Sequence, residues 1–237
     1  MNEFFETPKE VTEVNTLQEI KECTSDYDSP VENWEEYVES MNEYAESFES
    51  RALAVKEYST ATVEAREYKL DECTDVAKKH FTAEVINNWI NMDVETRDQI
   101  IQDYAKDLSE ALGIDFNEVI WEVMPPGEGY IFGYNNGDGH IHLNIEMLSD
   151  PAMLMYIVDT TAHELRHQFQ NEAIENPDKF PIDEETIKEW TIGRNIYTQN
   201  MPTAYDPWGY MYNPMETDAR FFGESMVREL TKEIINA

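Results

Sequence analysis

His163-Glu164-Leu165-Arg166-His167 is the most informative stretch of this sequence, because it spells H-E-x-x-H inside a segment predicted to be helical. Residues four apart on an α-helix lie about 40° apart around its axis, so both imidazoles would point the same way. Two neutral imidazole nitrogens on one helix face can occupy two of the four positions around a zinc ion. Glu164 would then reach a water bound to that zinc and act as general base. Two of the five histidines of the chain occur at this spacing, which predicts a zinc site.

The surroundings of the motif favour zinc over coincidence. Short patterns of common residues also arise by chance, and the alternative is a surface helix with ordinary polar side chains. Residues 152–158 (AMLMYIV) precede the motif and predict a helix that is buried on most sides. A buried helix has little reason to carry two histidines and a glutamate unless a ligand satisfies them. Arg166 departs from the strictest form of the motif, which keeps charge out of the two x positions.

Glu216, in the first turn of a second predicted helix, is the best candidate for a third ligand. Asn213 is typical of an N-cap and Pro214 of a first helical residue. An apolar stripe follows at Met215, Ala219, Phe222, Met226 and Leu230. The small Ala219 would let two helices approach closely enough for Glu216 to reach the metal. Glu216 also lies three residues after the cap, so a capping-box role is the alternative.

This pattern resembles that of the gluzincin class of zinc metallopeptidases, since Glu216-x-x-Ala219 comes 49 residues after His167. More narrowly, 163–170 (HELRHQFQ) and 210–220 (Y-x-Y-N-P-x-E-x-D-A-R) are similar to a poorly characterised group of bacterial proteins. The resemblance covers about residues 83–237. It implies zinc-dependent hydrolysis of peptide bonds, with zinc held by His163, His167 and Glu216. A water would fill the fourth position, and Glu164 would be the base.

One position departs from the gluzincin pattern. Many gluzincins carry an aspartate four residues after the glutamate ligand, where it orients a zinc-bound histidine. Here that position is Arg220, and Asp218 lies two residues after Glu216. The resemblance therefore does not assign the orienting role to Asp218.

Tyrosines just ahead of Glu216 are candidates for a further catalytic role. Attack on a peptide carbonyl creates an oxyanion, which a tyrosine hydroxyl or a protonated histidine commonly stabilises. Tyr210 and Tyr212 are the first candidates, with Tyr205 behind them. The alternative is that these tyrosines belong to the core, with satisfied hydroxyl groups.

A small antiparallel sheet is predicted just ahead of the H-E-x-x-H helix. Residues 119–124 alternate as a strand does, and Pro-Pro-Gly at 125–127 ends that strand. Residues 130–134 and 139–145 then flank the turn sequence at 135–138 (NNGD), which predicts a hairpin. In zincin-like proteases, which this arrangement resembles, an edge strand binds an extended peptide by strand addition. The expected fold is α+β, mostly helical, with a zincin-like core.

Two further histidines occur in the last predicted strand. His140 and His142 alternate onto one face of that strand. They are either a second metal-binding pair or plain sheet residues.

The net charge limits the partners. The chain has 17 basic and 50 acidic residues and a formal net charge of −33. Such a field repels nucleic acid phosphates and anionic membrane surfaces, so we expect neither as a partner. The charge either keeps the protein soluble or favours a basic partner.

The sequence also predicts the compartment. The N-terminus is acidic and lacks the basic start and apolar run of a signal peptide. The longest apolar run, 152–158, is too short to span a bilayer. Two cysteines, Cys23 and Cys73, make no disulfide framework. We therefore expect a cytoplasmic protein.

Breaker residues predict the domain organisation. Residues 1–28 are polar and acidic and are expected to be loosely ordered. Residues 29–80 are expected to form a helical N-terminal region, since no glycine or proline occurs between Pro30 and Gly113. This region would be an accessory domain, a propeptide or an inhibitor. Residues 81–237 are expected to form the metallopeptidase domain.

Within the N-terminal region, a helix beginning at Ser29 carries an apolar seam over residues 31–48. The seam needs a partner, which is either another helix of this chain or a second subunit. Further helices are predicted at 81–90, 94–112 and 183–197.

Two other classes of function compete with the peptidase. One is a non-catalytic zinc-containing protein whose acidic region engages a basic partner. The other, suggested only by the charge, is a mobile-element effector or DNA mimic. The peptidase is preferred because it alone explains His163, Glu164, His167 and Glu216 together.

Overall fold

A computed structural model describes residues 12–14, 61–124, 132–199 and 213–235 of the chain. Most of these residues are helical, and the strands among them form one small mixed sheet. The expected α+β, mostly helical fold is confirmed at this level. None of the helices in the described ranges has both the length and the apolar character needed to cross a membrane.

The described helices and strands follow one another along the chain with two short 3-10 turns, Trp89–Asn91 and Pro151–Met153. In chain order they are β1 (Thr12–Val14), α1 (Val63–Arg66), α2 (Leu70–His80), α3 (Ala83–Asn88), α4 (Val94–Leu112), β2 (Val119–Val123), β3 (Gly133–Tyr134), β4 (Ile141–Asn144), α5 (Ile145–Ser149), α6 (Leu154–Glu175), α7 (Glu184–Gln199) and α8 (Pro214–Ile235).

Capping residues set the helix boundaries that the sequence predicts. Asp93 begins α4 by accepting a hydrogen bond from the backbone N–H of Thr96 at 2.8 Å. Gly113 ends α4 with a φ of 75°, a conformation that favours glycine. Asn213 begins α8 by accepting from the backbone N–H of Met215 at 2.9 Å. The predicted positions of α4 and of the start of α8 are confirmed.

The sheet has the strand order β1-β2-β4-β3 and is mixed. The predicted hairpin is confirmed, because β3 pairs antiparallel with β4, with Tyr134 opposite His142. The prediction of a purely antiparallel sheet is wrong, because β2 and β4 run parallel, with Val119 opposite Ile141. β4 is buried along its whole length and takes a central position, whereas the half-buried β3 takes the edge. Alternation in the sequence identified the strands but not their neighbours.

The N-terminal predictions fall largely outside the described residues. Within residues 1–28 the structure describes only β1, which pairs antiparallel with β2. The apolar seam at 31–48 lies outside the described residues, so the oligomer contact stays a prediction. Helix α2 belongs to the predicted region 29–80, and its Cys73 and Ala77 join the same buried core as α4 and α8. The domain boundary at residue 80 also stays a prediction.

Helix α6 lies at the centre of the core and packs against α4, α7 and α8. Its Leu165 and Phe169 are fully buried. At Gly223, α8 comes so close to α6 that a Cβ would lie 2.9 Å from the backbone oxygen of Asp159. Ala219, one turn earlier, is also fully buried, as the predicted close approach requires. This contact brings the first turn of α8 beside the H-E-x-x-H motif.

Candidate metal centre

The H-E-x-x-H motif lies in the middle of α6, and its two imidazoles converge. His163 Nε2 and His167 Nε2 are 3.0 Å apart. The ring centroids are 4.6 Å apart, with the ring planes nearly perpendicular at 88°. The helical spacing therefore places two nitrogen lone pairs within reach of one point.

Glu216 adds a carboxylate to the same point from the first turn of α8. Its Oε1 lies 3.1 Å from His167 Nε2, and its Oε2 lies 3.5 Å from His163 Nε2. The Glu216 side chain is only 4% exposed. The structure thus brings the three predicted ligands together, and we call His163, His167 and Glu216 the metal-ligand cluster.

The spacing within the metal-ligand cluster fits a zinc ion. With zinc–ligand distances of about 2.0–2.1 Å, two ligands of a tetrahedral zinc lie about 3.3 Å apart. The three separations in the cluster, 3.0, 3.1 and 3.5 Å, lie close to that value. Among the residues that the structure describes, no other group of His, Cys, Asp and Glu side chains is placed to hold a metal ion.

Without a metal, the cluster is held together by opposite charges. Burial alone would lower the pKa of His167, but the charge and hydrogen bond of Glu216 raise that pKa to about 9. Burial acts against the Glu216 carboxylate as well, yet His167 and His163 hold its pKa well below the usual range. At neutral pH the metal-free cluster is therefore an ion pair, and a bound cation would take the place of the proton.

Glu164 is also buried and lies on the same helix as the two histidines, with 6% of its surface exposed. Burial raises the pKa of Glu164, and the positive charges of His163 and His167 oppose that rise. Its backbone oxygen accepts a hydrogen bond from Asn135 Nδ2 at 3.4 Å, which links the β3–β4 turn to α6. A carboxyl with a raised pKa suits proton exchange near neutral pH.

Behind His167, a chain of buried hydrogen bonds leads away from the metal-ligand cluster. His167 Nδ1 lies 2.8 Å from Gln170 Oε1. Gln170 Nε2 donates to Asp218 Oδ2 at 2.7 Å and to the backbone oxygen of Met215 at 3.0 Å. Asp218 is completely buried and accepts from Arg166 Nε at 2.9 Å. Asp218, which the resemblance leaves without a role, is thus connected to His167 through Gln170.

Arg166 is the charge partner of Asp218 rather than a surface residue. Its side chain is fully buried, and its Nη2 also donates to the backbone oxygen of Ala65 at 2.7 Å. The guanidinium lies 4.7 Å from the ring centroid of Phe169 and 4.8 Å from that of Phe222. The departure from the strict motif therefore has a structural cause: the arginine joins α6 to α8 and to α1. The sequence did contain a signal for this role, because a charged residue in a helix predicted to be buried needs a partner of opposite charge.

Arg220 stands at the position where the resemblance implies an aspartate. Its Nη2 lies 3.8 Å from Glu216 Oε2, and its side chain is 18% exposed. A guanidinium has no acceptor atom, so Arg220 cannot orient a histidine by accepting its proton. Its positive charge faces the Glu216 carboxylate instead.

A second group of histidine and carboxylates lies in the sheet. His142 Nδ1 is 2.9 Å from Glu122 Oε1, and His142 Nε2 is 3.4 Å from Asp138 Oδ2. Tyr134 donates its hydroxyl to Glu122 Oε2 at 2.8 Å and stacks on the His142 ring at 4.5 Å. We call Glu122, Tyr134, Asp138 and His142 the sheet cluster. Burial lowers the pKa of His142, but the hydrogen bonds and charges of Glu122 and Asp138 together outweigh burial and raise that pKa.

His140 and His142, the second predicted histidine pair, are not part of the metal-ligand cluster. His140 lies 3.3 Å from Asp138 Oδ1, and its ring centroid is 6.4 Å from that of His142. In this geometry each imidazole faces carboxylates, and the two do not converge on one point. Tyr210 and Tyr212, the candidates for stabilising an oxyanion, lie outside the described residues, as does Tyr205.

Comparisons of the chain with protein-family models, with curated proteins and with solved structures give no match. The functional interpretation therefore depends on the residues and their geometry.

Proposed function

We propose that this protein is a zinc-dependent peptidase of the gluzincin type. The observation that carries the proposal is the metal-ligand cluster, whose ligand atoms are 3.0 to 3.5 Å apart. Zinc bound there would supply a Lewis acid and lower the pKa of a water ligand toward neutrality. His163, His167 and Glu216 would hold it.

Glu164 is the proposed general base. Glu164 follows His163 on α6, its side chain is buried, and the charges of His163, His167 and Glu216 act on its carboxyl group. Glu164 would take a proton from the attacking water and return it to the leaving amine.

The number of ligands supports a catalytic site over a closed structural one. Structural zinc sites use four protein ligands, whereas catalytic sites use three and leave one position open. Within the described ranges, three side chains make up the cluster. A fourth protein ligand, found by spectroscopy of the metal-loaded protein, would favour the non-catalytic zinc protein instead.

An extended peptide is the proposed substrate, since β3 lies at the edge of the described sheet and close to α6. At Gly133 a Cβ would lie only 3.0 Å from Thr160 Cγ2 of α6, so the strand passes directly over the helix that carries the motif. An edge strand offers backbone N–H and C=O groups to a peptide. The cytoplasm stays the proposed compartment, and a basic partner for the acidic surface stays a separate prediction.

The test compares wild-type protein with Glu164→Gln and, as a matched control, Glu175→Gln on the exposed end of the same helix. Zinc per chain is measured by mass spectrometry, and cleavage is measured as new N-termini in a mixture of unstructured peptides. We expect about one zinc per chain in all three proteins. We also expect cleavage by the wild type and the control, and at least a 100-fold loss in Glu164→Gln. Loss of zinc from Glu164→Gln would make Glu164 a structural residue, and absence of zinc from the wild type would contradict the proposal.

A further inference from the structure

The amide of Gln170 determines which nitrogen of His167 faces the metal-ligand cluster. Gln170 Nε2 carries two protons and meets two acceptors, Asp218 Oδ2 at 2.7 Å and the backbone oxygen of Met215 at 3.0 Å. Gln170 Oε1, which faces His167 Nδ1 at 2.8 Å, can only accept. His167 Nδ1 must therefore carry a proton, and Nε2 is the nitrogen that can offer a lone pair to a metal.

The opposite orientation of the amide is excluded by its surroundings. A reversed amide would place Gln170 Oε1 against the Asp218 carboxylate and the Met215 carbonyl, which are acceptors, at a site that is fully buried. Asp218 is itself fixed, since Arg166 donates to both of its oxygens, at 2.9 and 3.2 Å. The buried Arg166–Asp218 ion pair thus fixes the orientation of the Gln170 amide, and the amide fixes which nitrogen of His167 carries the proton.

We propose that Gln170 is a positioning residue, which holds His167 with its proton on Nδ1 and directs Nε2 at the metal. This role rests on the proposed zinc site, and Gln170 acts through His167 without touching metal or substrate. Outer partners of this kind are usually carboxylates or backbone carbonyls. Here a neutral amide stands in that place, and the negative charge lies one hydrogen bond farther away, on Asp218, where Arg166 balances it.

The first measurement is zinc affinity, by competition with a chelator, in Gln170→Met and in the control Gln168→Met. The substitution removes the amide but keeps the length of the side chain. Gln168 is a suitable control because it lies on the same helix, is 9% exposed, and donates to Glu172 at 3.4 Å. We expect about 10–100-fold weaker zinc binding in Gln170→Met and a change within about 2-fold in Gln168→Met.

The second measurement is NMR of protein with 15N-labelled histidine, with and without zinc, in which only five rings contribute. We expect a slowly exchanging Nδ1–H resonance from His167 in the wild type and faster exchange in Gln170→Met. A wild-type His167 without a proton on Nδ1 would overturn the proposal, even if the variant does not fold. Unchanged zinc affinity and exchange in a folded but less stable Gln170→Met would show mere packing and also overturn it.

The two measurements separate this inference from the proposed function. Wild-type protein that takes up no zinc contradicts the peptidase. The difference in Nδ1–H exchange between the wild type and Gln170→Met still tests the contact with Gln170 in that case, because both exchange rates are measured without metal.

Discussion

The metal-ligand cluster and the sheet cluster both combine histidine with carboxylate side chains but differ in the directions of their polar atoms. In the metal-ligand cluster, the Nε2 atoms of His163 and His167 lie 3.0 Å apart and share one carboxylate, Glu216. In the sheet cluster, the two nitrogens of one imidazole, His142, face two carboxylates, Glu122 and Asp138. The first arrangement converges on a point that a cation can occupy. In the second arrangement, the two ring nitrogens of His142 point in different directions, each toward its own carboxylate.

Backbone geometry, more than composition, decides whether histidine and acidic side chains converge on one point. His163 and His167, four apart on α6, have ring centroids 4.6 Å apart. His140, just before β4, and His142, within β4, have ring centroids 6.4 Å apart. In the sheet cluster, the protonated imidazole of His142 donates hydrogen bonds to Glu122 and Asp138. A zinc ion bound to His142 would replace a ring proton and break such a bond. We therefore expect the two clusters to respond differently to mutation, to zinc and to pH.

The largest expected difference concerns the charges that support each cluster. Arg166→Met would leave the carboxylate of Asp218 fully buried without its charge partner. Breaking a buried ion pair in this way costs about 3–5 kcal/mol of unfolding free energy. In the sheet cluster, Asp138→Asn is expected to cost about 1 kcal/mol or less, because that side chain is 42% exposed. Denaturant unfolding of the zinc-free proteins measures both values.

A further variant separates the lost charge balance from lost packing at Arg166. The double variant Arg166→Met/Asp218→Leu removes both charges, and we expect it to be more stable than Arg166→Met alone. Equal or lower stability of the double variant would mean that the packing of Arg166 between Phe169 and Phe222 matters more than its charge.

The second prediction tests the clusters against zinc with one matched substitution. Glu216→Gln removes a charged ligand and should weaken zinc binding by more than about 100-fold, or about 2.7 kcal/mol. Glu122→Gln makes the same change beside His142 and should leave the zinc affinity within about 3-fold, because no atom of Glu122 lies among the proposed ligands. Chelator competition gives both affinities. Equal losses in the two variants would contradict the assignment of the ligands.

The sequence predicts those parts of the site that depend on spacing along one helix. The pair His163 and His167 follows from the helical repeat, and Glu216 follows from the cap at Asn213 and the small residue Ala219. These signals are local in the sequence, so they can be identified without knowing which helices and strands are neighbours in the fold. The mostly helical α+β class follows from the same local patterns.

The remaining parts depend on how separate elements meet. The chain from Gln170 through Asp218 to Arg166 requires the relative position of α6 and α8, which the close contact at Gly223 sets. The parallel pairing of β2 with β4 likewise depends on which strand is buried on both faces. A single sequence shows that an arginine in a buried helix needs a partner, but not that Asp218 is that partner.

The last prediction uses pH to distinguish the two histidines in the metal-free protein. A histidine whose pKa is higher in the folded than in the unfolded protein contributes its full stability below the unfolded value of about 6.5. That contribution is lost as the pH rises through the folded pKa, which is about 9 for His167. Glu216 acts at the other end, since its lowered pKa gives stability that is lost as the pH falls below the usual range of a glutamate. We expect the unfolding free energy to fall by on the order of 1–2 kcal/mol between pH 6.5 and pH 9.

Bound zinc should remove the pH-dependent contribution of His167 to stability but not that of His142. A bound metal requires a deprotonated Nε2, so stability in saturating zinc should not fall with the loss of the His167 proton. His142, whose pKa is also raised, keeps its proton in the sheet cluster and should still contribute a decline above pH 6.5. His142→Gln should therefore remove the decline that remains in zinc, while leaving the decline of the zinc-free protein near pH 9. Unfolding curves at several pH values measure these declines, and a zinc-saturated wild type with the full metal-free decline would show that zinc does not bind His167.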